Sequence, residues 1–382
     1  MIFSKISNYY ISRRNAAIEQ SRHGRIAYID LIKGILIISV IYRHSVAHAY
    51  GTGLFNNMVV GIKMPAFMCI SFLFFKEYSG FADFSIRKFC KLMIPFTLAT
   101  ICDMIIYVVT HWGESLLNPL YFQIFQTAYL PTWFLYVLFL CYIEYYIYRS
   151  TTSRFPFMTR LLIAVGISLL SYYGLIYWRF THLLSLLLNS DFINCYALRF
   201  LYIPFLILPL FVLMEQIQKL YLLHKEISAT KIFIVFIIAL ICWLAFSQRG
   251  ISIFNLAVGI IPIYQIEVLA LTIILLCIGR AIKWLPVISY MGRYSIIVFI
   301  VHSLFMSVKI TSSLDISCIT QPFEFFLINC IVSLLAIPIF RKYLPYLCAQ
   351  KDLLVLGADN HMHFAPEVKS RVNRLFRKNS SK

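Results

Sequence analysis

The sequence predicts an all-α fold: a polytopic transmembrane helical bundle of about ten spans with both termini in the cytoplasm. Three observations carry this. Of the 382 residues, 60% are hydrophobic and 13% are charged, against roughly 25% charged in a soluble domain. Apolar stretches of about 20 residues, the length that crosses a hydrocarbon layer, recur along the chain. Basic residues gather on alternate connections, which fixes an orientation. Soluble α/β and all-β folds are excluded, because so few charges could not keep so much apolar surface dissolved.

The expected spans are 27–48, 55–75, 92–112, 131–148, 158–178, 198–218, 231–247, 256–279, 289–308 and 324–344. Gly, Pro, Asn and Ser punctuate several connectors, as in "YGTG", "SQRG" and "LNSD". Three regions follow: a basic cytoplasmic N-terminal segment over 1–26, a transmembrane domain over 27–345 and a basic cytoplasmic tail over 346–382. The N-terminal segment lacks an apolar core followed by small residues, which argues against a cleaved signal peptide. One side holds Lys5, Arg13, Arg14, Arg22, Arg25, Lys76, Arg87, Lys88, Lys91, Arg149, Arg154, Arg160, Lys219, Lys225, Lys231, Arg280, Lys283, Arg293 and the basic tail from Arg341 onward. The opposite side holds only Arg179, Arg199, Arg249 and Lys309. The net charge of +18 thus reads as orientation and contact with anionic lipid. The expected partner is the bilayer, and no nucleic acid.

The ten cysteines are scattered through apolar stretches without a C-x-x-C, the pattern of buried thiols. Cys195 and Cys318 fall in expected outer loops, where a disulfide is one option. The "HMH" at His361 to His363 has no further ligands at useful spacing, so no metal is expected. No internal repeat stands out.

The chemistry concentrates in four places. The first span, "YIDLIKGILIISVIYRHS", carries Asp30, Lys33, Arg43 and His44. Eleven positions separate Lys33 from His44, close to three turns, so both lie on one face about 16 Å apart along the axis. Asp30, three positions before Lys33, can pair with it. Lys33 is either a lysine snorkelling at a helix end or a ligand for an anion. His44 is either an interhelical hydrogen-bonding group or a proton acceptor, and intramembrane ionisable groups favour the second. Arg43 points about 100° away from His44 and needs a partner or a wet cavity.

The second place is "IKMPAFMCIS", where Lys63 and Pro65 lie within a span and Ser71 either back-bonds to its own helix or offers a hydroxyl. In "LPTWFL", Trp133 is either a belt residue or an N–H donor. In "MGRYSIIVFIVHS", Gly292 and Arg293 mark the inner boundary, and His302 lies nine residues beyond Arg293. That rise brings His302 to a depth comparable with His44. Asp103, Glu144 and Glu267 are further groups that could line a shared pocket.

In order and spacing, "IDLIKGILIISVIYRH", "KMPAFMCIS", "IRKFCKLMIPF", "TWFL" and "MGRYSIIVFIVH" resemble the acyltransferase-3 family of integral membrane acyltransferases. The resemblance covers most of residues 25 to 345. It implies transfer of an acyl group, usually from acetyl-CoA, to a hydroxyl of a surface or lipid-linked glycan. By position it makes His44 the essential histidine and Lys33, with Asp30, its basic partner. It makes Arg87, Lys88 and Lys91 a basic inner loop for the CoA phosphates. Ser71, Trp133, Arg293, Ser295 and His302 match recurring positions around the pocket. The chain departs from the family at three places. Lys33 stands where many members have Arg, Arg43 where Gly commonly precedes the histidine, and Phe72 where Gly often follows the serine.

The expectation is a bacterial-type inner-membrane O-acyltransferase with acyl-CoA as co-substrate and no permanently bound cofactor. Lys33 and the basic loop would hold the donor. His44 would activate the acceptor hydroxyl or carry the acyl group transiently, with Ser71, Trp133 or His302 stabilising the oxyanion. The rival from another class is a non-enzymatic transporter or exporter of a glycan or lipid precursor, which also needs polar groups at mid-membrane depth.

Overall fold

The computed structural model describes residues 12, 26–47, 61–110, 133–180, 202–221, 226–247, 261–311, 322–357, 362–368 and 370. Each stretch expected to span carries helix within those residues. Four helices there are long and apolar enough to cross a membrane: Phe81–Ile106, Ala229–Phe246, Ile261–Ile282 and Pro322–Tyr343. A bent pair makes a fifth. The protein is an all-α polytopic helical membrane protein.

Helix α1 (Ala27–Tyr42) continues as a π turn over Arg43–Ala47. Its apolar face, including Ile29, Ile32, Leu36, Ile37 and Val40, is buried in the core. Helix α2 is Lys63–Phe72. Helix α3 (Phe81–Lys88) passes through a second π turn, Phe89–Met93, into α4 (Ile94–Thr110). The basic stretch expected as a loop before the span at 92–112 is therefore helix continuous with that span. Pro95 explains the π turn. Its ring has no N–H for the carbonyl of residue 91 and would clash with it in a regular helix, and the wider turn just ahead relieves both problems.

Helices α5 (Trp133–Thr152), α6 (Phe157–Phe180) and α7 (Ile203–Tyr221) follow. They meet around Glu215, which is buried. Its carboxylate pairs with Arg160 Nη2 at 2.7 Å and Lys219 Nζ at 2.8 Å, and accepts from the Tyr145 hydroxyl. Arg149 reaches it at 3.9 Å and also pairs with Glu77 at 2.7 Å. The Tyr148 hydroxyl donates to the carbonyl of Arg160. A buried carboxylate needs such partners, since desolvation would otherwise disfavour its charge.

Helices α8 (Ala229–Phe246) and α9 (Ile261–Ile282) lead to α10 (Pro286–Arg293) and α11 (Ser295–Thr311). The stretch 289–308, expected as one span, is in fact two helices that meet at 87° around Tyr294. Glycines explain why α10 lies so close to α1. A Cβ on Gly292 would come within 1.8 Å of the Asp30 carbonyl oxygen, and one on Gly34 within 2.0 Å of that of Ile288. Small residues let backbones approach in this way.

Helix α12 (Pro322–Tyr343) precedes the tail. Its strands β1 (Leu354–Leu356) and β2 (Met362–Phe364) form an antiparallel hairpin. β1 packs beside α3 and the π turn that follows it: Arg87 of α3 reaches Asp352 at 3.6 Å, and the Cys90 thiol of the turn lies 3.8 Å from the Leu354 carbonyl oxygen. Phe72 fills space in the core. Its ring stacks on Phe211 at 3.6 Å and on Tyr142 at 4.5 Å between centroids.

Candidate functional site

A cavity of about 330 Å³ opens between α1, α2, the α3–α4 rod, α5 and α11. Its lining includes Lys33, Ser71, Lys88, Lys91 and Ser295, all anticipated from the sequence. Ile37, Phe67, Phe74, Tyr78, Tyr142 and Phe299 add apolar and aromatic walls. The volume suits a small-molecule site. Among the described lining residues there are three lysines and no carboxylate.

Helix geometry accounts for the convergence. Lys33 and Ile37 lie one turn apart on α1, and Lys88 and Lys91 lie one turn apart where α3 enters its π turn. The Lys88 ammonium is 3.4 Å from the Tyr142 ring centroid, and Lys33 Nζ is 5.8 Å from that of Phe74. Aromatic faces thus support the cations. Lys88 is also close enough to Lys91 and Lys33 for their charges to act on it. Ser295 and Ile296 open α11, so the positive end of that helix adds to the field. Ser71 follows the back-bonding option, donating to the Phe67 carbonyl at 2.9 Å. Its own carbonyl accepts from the Tyr142 hydroxyl at 2.9 Å.

Phe299 connects this cavity to the histidines. Its ring lies 5.2 Å from that of His302, which in turn lies 5.9 Å from His44. His302 is fully buried. Its Nδ1 is 3.2 Å from the Val298 carbonyl oxygen. Since a carbonyl only accepts, Nδ1 carries the proton, and Nε2 keeps a lone pair with no partner among the described residues. In this tautomer His302 Nε2 is an acceptor, and the oxyanion role anticipated above would need it protonated.

The remaining anticipated residues lie outside the described cavity lining. Arg87 is engaged with Asp83 at 2.7 Å and with Asp352. Arg293 ends α10, exposed, with its guanidinium 5.6 Å from the Tyr294 ring. Asp30 is half-buried in the first turn of α1. Trp133 begins α5 against Phe134, a lining residue. Asp103, Glu144 and Glu267 are also absent from the described lining. Cys195, Cys318 and His361 lie outside the described residues.

Sequence reasoning assigned no role to Tyr142, Phe299 or Glu215. Nothing in their spacing separates the two aromatics from ordinary core residues. Glu215 carried a signal: it is an acid near a helix end, with bases at the ends of the two preceding helices.

The model of the acyltransferase-3 family, described as an acyltransferase domain, matches residues 26–341. No curated protein and no solved structure matches the chain.

Proposed function

Because the chain belongs to the acyltransferase-3 family and is a membrane acyltransferase, we propose that it moves an acetyl group from cytoplasmic acyl-CoA to a hydroxyl of a cell-surface or lipid-linked glycan. The observation that carries the reading is the lysine cavity and its link, through Phe299, to the paired histidines. The site belongs in a bacterial-type cytoplasmic membrane, with both termini and the cavity mouth on the inner side. The excess of basic residues on those connections supports this.

Lys33, Lys88 and Lys91 hold the phosphates of CoA, charge against charge. The apolar wall of Ile37, Phe67 and Phe299 guides the pantetheine arm toward the histidines. The acceptor hydroxyl reaches them from the opposite side. As its oxygen attacks the thioester carbonyl, His44 takes the hydroxyl proton. The tetrahedral intermediate then collapses, the C–S bond breaks, and the thiolate leaves with the proton returned by the imidazolium. His302 sits beside His44 as a second neutral imidazole and orients it.

The test is acetyl transfer from labelled acetyl-CoA in membranes that hold the full chain. His44→Ala should lower the rate by about 10²–10⁴-fold, the usual contribution of general acid–base catalysis. Full activity in that variant would overturn the assignment.

A further inference from the structure

A second cavity, of about 550 Å³, opens between α1, α7, α8 and α9 and shares no lining residue with the first. Its basic lining residues are Lys231 and Arg280, and Glu226 is the one acid among the described lining residues. Lys231 is the third residue of α8, and Arg280 is the third from the end of α9. The two helices pack together and are each long enough to cross a membrane. Consecutive spans run in opposite directions, so both charges stand at one level, on the side where the basic connections collect. The Arg280 guanidinium rests 5.4 Å from the centroid of the Tyr28 ring, another lining residue. An aromatic face fixes such a group without cancelling its charge.

Beyond these charges the lining turns apolar. Val235 follows Lys231 by one turn, and Leu276 and Ile273 precede Arg280 by one and two turns. At about 1.5 Å per residue, that wall reaches roughly 6–10 Å deeper along the helices. The outer wall is α8, whose Phe233, Ile234, Ile238 and Ile241 are exposed. On a membrane-spanning helix such residues face acyl chains. The cavity is therefore charged at the membrane boundary, apolar further in, and bordered by a helix that bilayer lipid touches. Tyr28 and Lys33 are about 140° apart around α1, so the two cavities flank that helix on different faces.

We propose that this cavity binds an anionic phospholipid of the bilayer, with its phosphate between Lys231 and Arg280 and an acyl chain along Val235, Leu276 and Ile273. Ammonium and guanidinium both pair with phosphate, and the planar fork of Arg280 suits two of its oxygens. Two bases against one acid favour a lipid of net negative charge. A zwitterionic phospholipid carries the same phosphate but brings a cation toward the two bases, so it binds more weakly. A small soluble phosphate ester leaves the apolar wall unused. None of these residues takes part in the acyl-transfer mechanism, so the lipid site stands independently of it.

The experiment uses the full chain in an uncharged detergent, with bound lipid counted by native mass spectrometry. Phosphatidylglycerol should bind about tenfold or more tightly than phosphatidylcholine of the same chains, as a charge-assisted contact implies. Lys231→Gln and Arg280→Gln should each remove most of that preference. Lys231 is exposed, so its variant decides if Arg280→Gln does not fold. Lys342, an exposed base near the end of α12, lies outside the cavity lining, and Lys342→Gln should leave the preference intact. Val235→Trp, which fills the apolar part, should lower the binding of both lipids. Equal binding of the two phospholipids, or a preference that survives both charge variants, overturns the site. So does a preference that Lys342→Gln lowers as far, or unchanged binding in Val235→Trp. Free glycerol 3-phosphate is the soluble control. If it displaces phosphatidylglycerol at equal concentration, the occupant is a soluble phosphate ester and the lipid assignment falls.

Discussion

Two clusters of basic residues in this molecule are built on opposite plans. Around Glu215, the side chains of Arg160, Lys219 and Arg149 converge on one buried carboxylate, and the Tyr145 hydroxyl completes its coordination. In the cavity between α1, α2, the α3–α4 rod, α5 and α11, Lys33, Lys88 and Lys91 converge with no described carboxylate in the lining, backed by the rings of Phe74 and Tyr142. The first cluster contains its own counter-charge and ties three helices together. The second turns its charge toward a cavity of ligand size. Positive charge alone therefore does not mark a binding site. The two clusters differ in whether a carboxylate stands among the described residues that meet there.

The contrast can be broken by substitution. The largest effect is expected from Glu215→Ala, which leaves the buried Arg160 without its acid and should cost about 3–5 kcal/mol of stability. The measurement is thermal unfolding of the detergent-solubilised protein. If Tm is unchanged, the cluster is not structural. Next comes Lys88→Gln, expected to weaken coenzyme A binding by roughly 10–100-fold, the equivalent of losing one charge-assisted contact. Its Tm should hold, because relief of repulsion from Lys33 and Lys91 offsets the lost contact with Tyr142. A variant that unfolds yet binds coenzyme A normally would reverse the distinction. The smallest effect belongs to Arg87→Ala. Its partly exposed pairs with Asp83 and Asp352 are worth about 0.2–1 kcal/mol. Limited proteolysis of the tail should register the loss, while coenzyme A affinity stays close to that of the parent.

Much of this was legible in the sequence because helices are periodic. The stripe of Asp30, Lys33 and His44 was expected from the rise and repeat of a regular helix, and the nearness of His302 to His44 follows from counting residues beyond the membrane boundary. What stayed hidden depends on backbone departures from that periodicity. The π turns at Arg43–Ala47 and Phe89–Met93 have no side-chain code, although Pro95 hinted at the second. The bend at Tyr294 lies beside Gly292, whose evident role in sequence was as a boundary. Its packing role, against the Asp30 carbonyl, requires the partner helix to be in place. Arg87 read as a phosphate ligand because its chemistry matches that of Lys88. Only the fold shows that neighbouring positions on one helix point to different partners.

The hairpin at β1 and β2 also bears on timing. The thiol of Cys90 and the carbonyl of Leu354 lie together although 264 positions separate them in the chain. At about 5–20 residues per second of synthesis, that gap corresponds to roughly 13–50 s. Throughout that interval the helix carrying Lys88 stands in the membrane without its last neighbour. That side of the lysine cavity thus gains its last contact only after the ribosome has passed residue 354, so the clock of translation sets when its walls are complete.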